Sequence, residues 1–119
     1  VTSAERDEKF MELQSLYMPG VDWTGEAESM RPLRWYAQLH IYRYPFYYID
    51  YAIAETGAMQ LALMDQADHE ACLETYMELC RLGGTQSVTQ LFAGAGLRSP
   101  FDAAVVEDLM AHAAGVLGL

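Results

Sequence analysis

Apolar residues recur at helical spacing along most of the chain. Thr2-Ser-Ala-Glu5 has the pattern of a capping box, with Phe10, Leu13, Leu16 and Tyr17 following on one helical stripe. This predicts a first helix from about residue 3 to residue 17, ended at Pro19-Gly20. From Val21 to Pro32 the chain carries turn residues without a sustained period, so it is predicted to be a connecting loop anchored by Trp23. A helical pattern resumes at Leu33 and runs through His40 and Ile41. Pro45 must interrupt it, because proline lacks an amide hydrogen and pushes Tyr44 out of the helical region. Helix is predicted to restart with Pro45 in its first turn and to continue to about Gln66, Gly57-Ala58 leaving room for a closely packed neighbour.

Asp68 reads as the cap of an amphipathic helix stopped by Gly83-Gly84, with Cys72, Tyr76, Leu79 and Cys80 on one face and Glu70, Glu74 and Glu78 on another. Ser87 to Gln90 offers a second capping box before a short helix ending at Gly94 or Gly96. Ser99-Pro-Phe-Asp102 opens a last helix to about Val116, with proline in its first turn. No strand-like alternation competes. The expected fold is all-α: five to six helices in an irregular bundle, a Pro-kinked aromatic helix at its centre, and one helical domain over residues 1–119.

Composition narrows the classes of function. With 52% hydrophobic and 20% charged residues the chain is expected to fold throughout. A formal charge of -10 argues against nucleic acid, whose recognition rests on Lys and Arg neutralising phosphates. Apolar runs are broken by polar residues well short of a membrane-spanning length, so no membrane partner is expected and a cytoplasmic location is inferred. Cys72 and Cys80 are too far apart along one helix for a disulfide and read as reduced core residues. The chain opens at Val1 directly into a helix, which is read as the start of a segment of something longer.

The stretch from Arg34 to Tyr51 stands apart. It holds eight of the fourteen aromatic residues, including six of the eight tyrosines, around His40. Six phenol hydroxyls are costly to satisfy in a plain core. Tyr36, Tyr44, Tyr47 and Tyr51 stand at offsets from His40 that would share a face of an unbroken helix, although Pro45 disturbs the alignment. Imidazole and phenols so gathered can donate hydrogen bonds to a developing oxyanion or hold a peptide backbone; the plainer reading is an aromatic core stripe with one satisfied histidine. Arg31, Arg34 and Arg43 fall in a window, Arg31 to Ile49, without Asp or Glu. They can fork onto a carboxylate, or pair with acids on neighbouring helices. His40, His69 and His112 are far apart, and neither HExxH nor CxxC occurs, so no metal site is expected within this chain.

At HIYRYPFYYIDYAIA, with LCRLGG and an AGL-x-x-PF-like ending, the chain resembles the C-terminal part of the oligoendopeptidase F branch of the thimet oligopeptidase family of zinc metallopeptidases. The resemblance runs from about Tyr17 to Phe101. It implies a helical hydrolase that cleaves short peptides, with zinc held by HExxH and a later Glu that lie upstream of residue 1. This chain would then supply the opposite wall of the active site. His40 matches the family's histidine that binds substrate and stabilises the tetrahedral intermediate. The tyrosine spacing departs from a YYxY-like pattern, which leaves the key phenol among Tyr44, Tyr47, Tyr48 and Tyr51, with Tyr47 and Tyr48 foremost. His40, Tyr47 and Tyr48 are therefore the expected catalytic residues, and Tyr44, Tyr51 and Arg43 the expected substrate-binding ones. The resemblance implies as partners short peptides and the N-terminal catalytic portion of the same enzyme. Alone, the chain is expected to be inactive, to hold no zinc, and to form a homo-oligomer through its aromatic segment. The competing reading is a non-catalytic helical interaction or oligomerisation module.

Overall fold

The computed structural model describes the backbone of residues 1–119 and every side chain except that of Glu26. The fold is all-α, with seven α-helices, one 3-10 turn and no strand among the described residues. Two compact units divide the chain, Val1–Tyr48 and Ile49–Leu119.

In the first unit, α1 (Ser3–Tyr17) starts at the expected capping box: the Thr2 side chain accepts from the Glu5 amide, and Glu5 accepts from the Thr2 amide at 2.6 Å. The Thr2 amide bond, with the Thr2 hydroxyl behind it, lowers the pKa of Glu5 from its ordinary value. The segment between Pro19 and Pro32 is not wholly irregular, since Glu26–Met30 forms a short helix, α2. Arg31 then ties the segment back to α1. Its guanidinium donates to the Met11 carbonyl at 3.3 Å, to Gln14 Oε1 at 3.4 Å and to the Ser15 hydroxyl.

The helix expected from Leu33 to Ile41 is two pieces, a 3-10 turn at Arg34–Ala37 and α3 (Leu39–Arg43), separated by Gln38 at φ -84°, ψ 88°. Trp35 gives the reason. It is buried, donates from Nε1 to Asp7 Oδ1 at 2.8 Å, and stacks with both Tyr36 and Tyr42, at 4.0 and 5.8 Å between ring centres. Residues six apart on a continuous helix would point about 120° apart. The break lets Tyr36 and Tyr42 meet one indole. Loss of water around the Tyr42 hydroxyl, with Tyr36 beside it, raises the pKa of that phenol.

The second unit holds α4 (Ile49–Ala67), α5 (His69–Leu82), α6 (Val88–Gly94) and α7 (Ala103–Leu117). Helix α4 packs along α5 and α7. Asp68 caps α5 by accepting from the Ala71 amide, and Ser87 and Gln90 form the second capping box. After Gly83 the chain turns through Gly84 at φ +77°, a left-handed conformation that glycine adopts without steric cost. The structure corrects two expectations in this unit. Helix α7 begins after Asp102, whose carboxylate accepts from the Ala104 amide, so Pro100 is buried in the preceding turn instead of opening the helix. Of the two free cysteines, Cys72 is buried, with its Sγ 3.2 Å from the Leu61 carbonyl, but Cys80 faces outward. The eight-residue spacing rotates the second sulfur by about 80° from the first, enough to leave the core side of α5.

The apolar centre of this unit is small: Cys72, Leu97, Val105 and Leu109 are its buried hydrophobic residues. The connection after α6 is fixed by Gln60, whose side-chain amide accepts from the Arg98 amide at 2.8 Å and donates to the Arg98 carbonyl at 3.1 Å. Gly57 is buried under Phe92, and a Cβ there would come within 3.0 Å of the ring tip. Gly57→Leu is therefore expected to destabilise the unit by about 1–3 kcal/mol, the usual scale for overpacking. A urea titration followed by circular dichroism measures this; an unchanged midpoint would mean that the ring moves aside freely.

Candidate active-site wall

The site expected from sequence is built from α3 and the turn after it. Helix α3 ends where the Tyr44 amide donates to the His40 carbonyl at 3.1 Å, with Tyr44 at φ -136°, ψ 67°. Pro45 does not sit in the first turn of the next helix, which begins only at Ile49. The interruption is a full break, and the aromatic segment is not one kinked helix. Instead, the Tyr47 amide donates to the Tyr44 carbonyl at 3.1 Å and closes a turn with Pro45 and Phe46 at its corners. Proline in the second position and Phe46 at φ +67° in the third match the type II turn, in which that third position normally requires glycine. A bulky side chain there costs on the order of 1–3 kcal/mol. Phe46 is the residue that sequence reasoning passed over, although Tyr-Pro-Phe-Tyr carries the turn signal.

This turn folds the tyrosines back onto the histidine. The His40 and Tyr47 rings stack at 5.8 Å with 24° between planes, Tyr48 meets His40 edge-on at 4.7 Å and 83°, and Tyr44 meets Tyr47 at 6.1 Å and 61°. His40 is half-buried, while the three tyrosines are about half exposed. The result is an imidazole and three phenols in one patch, each with nitrogen or hydroxyl donors, in a stretch free of carboxylates. Such a patch can donate hydrogen bonds to carbonyl or oxyanion oxygens.

Two further residues are expected from the sequence to bind substrate. Arg43 is exposed on α3, and Tyr51 is exposed on the first turn of α4, in the second unit. Tyr36 stacks on Trp35. Of the other two arginines of the window, Arg31 is spent on α1, and Arg31 and Arg34 flank the Trp23 ring at 5.9 and 5.5 Å. His69 lies 2.7 Å from Asp65 on the surface, and His112 is exposed on α7. Among the described residues no three His, Cys, Asp or Glu side chains gather as a metal site. None of the helices is long and apolar enough to cross a membrane.

Neither a protein-family model nor a curated protein matches the sequence. Solved structures do. The chain is similar, over nearly all of its length, to a segment of peptidases. One is an oligoendopeptidase F, matched over 94% of this chain at 37% identity with a TM-score of 0.85. Another is PZ peptidase A, solved with an inhibitor, matched over 97% at 34% identity with a TM-score of 0.86. The chain spans only 20% of each of those chains. The resemblance read from PFYYIDYAIA and LCRLGG thus extends to three dimensions.

Proposed function

We propose that this chain is the C-terminal segment of a zinc-dependent oligoendopeptidase that hydrolyses short peptides, and that it contributes the substrate-binding and oxyanion-stabilising wall of the active site. The observation that carries this reading is the His40–Tyr47–Tyr48 ring cluster, with its phenols open to solvent, on a chain that matches one fifth of two peptidases. His40 and the phenols of Tyr47 and Tyr48 donate to the carbonyl oxygen of the scissile bond as it gains charge. Tyr44, Tyr51 and Arg43 hold the peptide, Arg43 through its carboxylate or backbone carbonyls. Zinc in the longer enzyme supplies the metal chemistry of hydrolysis. In this reading its ligands come from the rest of the enzyme; among the described residues no three His, Cys, Asp or Glu side chains gather to hold it.

The burial pattern supports a segment that packs against more protein. Trp35, Cys72, Leu97, Val105 and Leu109 are its buried hydrophobic residues, while Ile41, Tyr44, Phe46, Tyr48 and Ile49 are all exposed. A further apolar groove of about 300 Å³, lined by Phe10, Leu13, Trp35 and Ile41, is open along α1. Apolar surface on this scale marks an interaction site. The same feature favours the second reading, a helical interaction module that in isolation pairs with a copy of itself through the aromatic segment.

Joining the chain to the remaining four-fifths of the oligoendopeptidase F that it resembles tests the proposal. The joined protein is expected to bind zinc and cleave a short fluorogenic peptide, and the isolated chain to do neither. Hydrolysis that persists when this chain is deleted would overturn the assignment. Stoichiometric zinc in a dialysed sample of the chain alone would overturn the placement of the metal, and light scattering of that sample reports self-association.

A further inference from the structure

Phe46 occupies a position that its chemistry does not suit. It is the only non-glycine residue with positive φ among those described, and its ring is 95% exposed. Bulky side chains enter the left-handed region only when surrounding structure over-determines them. Glycine would satisfy the Tyr44–Tyr47 turn without strain, so the ring must be rewarded by a contact outside this chain. A passing peptide is a poor source of that reward, because the strain persists between turnovers. A resident neighbour fits better. The matched peptidases continue for four times the aligned length, so most of such a protein lies outside this chain. The same turn also presents Tyr47 and Tyr48 to His40, with rings 5.8 and 4.7 Å away.

We propose that Phe46 is a docking anchor, its ring seated in an apolar socket on the polypeptide that completes the peptidase, and that this seat holds the turn carrying Tyr47 and Tyr48. The identity of the occupant rests on the proposed peptidase function. Phe46 is thus a positioning residue, acting through the two tyrosines. The ring supplies affinity and the strained turn supplies direction, since Tyr47 and Tyr48 meet the His40 ring while Phe46 is left almost fully exposed.

4-Fluorophenylalanine placed at Phe46 provides the test, with the difference in fluorine shift between light and heavy water reporting exposure. In the isolated chain at low micromolar concentration the full solvent effect is expected; in the joined protein most of it should be lost without any peptide present. In the joined protein, Phe46→Gly should lower kcat at least tenfold with a much smaller change in KM, and Phe46→Leu should restore most of the loss. In the isolated chain, Phe46→Gly should raise the urea midpoint, because strain is removed and no contact is lost. Four results would each overturn the anchor: a fluorine exposed in the joined protein, shielding that appears only when a short peptide is added, shielding in the dilute isolated chain, or a lowered midpoint for Phe46→Gly. The last measurement decides even where the joined protein fails to fold. A shielded fluorine in a joined protein that binds zinc but cleaves nothing would retain the anchor and reject the peptidase reading. Cleavage with an exposed fluorine would do the reverse.

Discussion

On the proposed function, His40→Ala, made in the chain joined to the remaining four-fifths of the oligoendopeptidase F that it resembles, is expected to lower kcat for short peptides by about two to three orders of magnitude while the zinc content of the joined protein stays unchanged. That is the usual loss for one oxyanion donor, roughly 2.7–4 kcal/mol of transition-state stabilisation. The geometry gives the substitution a second effect, because the imidazole also supports the Tyr47 ring at 5.8 Å and the Tyr48 ring at 4.7 Å. Tyr47→Phe and Tyr48→Phe keep those ring contacts and remove one hydroxyl each, so the larger loss identifies the principal phenol. KM should change less than kcat if the donors act mainly on the transition state. Metal analysis on the purified variants completes the test: loss of zinc from His40→Ala would make His40 a ligand and reject its assignment as a donor.

Leu109→Ala is expected to destabilise the second unit by about 2–4 kcal/mol, the range for truncating a buried leucine. Leu109 is 4% exposed beside Val105 at 1%, and few other apolar side chains of the unit are comparably enclosed. A small core cannot spread the loss over many neighbours, and the cavity left beneath α7 has little to fill it. Met110→Ala provides the control, since Met110 is 46% exposed on the same helix and should shift the midpoint by only about 0.5 kcal/mol or less. Urea unfolding of both variants, followed by circular dichroism, checks the pair. Equal shifts would show that the packing of α7 does not hold the unit together.

These two experiments probe separate parts of the chain. The histidine cluster belongs to Val1–Tyr48, where little apolar surface is enclosed beyond Trp35, and Leu109 belongs to Ile49–Leu119. A chain with 52% hydrophobic residues and so few of them buried resembles half of a larger interface more than a finished core. This matches its similarity to one fifth of two peptidases.

Much of the fold was legible in the residues because the signals are local. Thr2 with Glu5 and Ser87 with Gln90 are capping boxes that a few neighbouring positions specify, Asp68 caps α5, and Gly83-Gly84 stops that helix where the backbone needs a left-handed residue. A gathering of tyrosines around His40 was also legible, and Tyr47 and Tyr48 do meet its ring. Tertiary structure decided what depends on partners distant in sequence. Trp35 bonds to Asp7 and gathers Tyr36 and Tyr42, and that packing divides the helix expected from Leu33. The identical phenols of Tyr36 and Tyr47 thereby go to different rings, a choice that helical offsets from His40 cannot make. Pro45 announced an interruption, but whether it would be a kink or a complete turn depended on the backbone of Phe46, whose positive φ no propensity favours. Spacing fixes which residues share a helix face; only the packing of other elements against that face decides which of them are covered, and so Cys72 is buried while Cys80 is not.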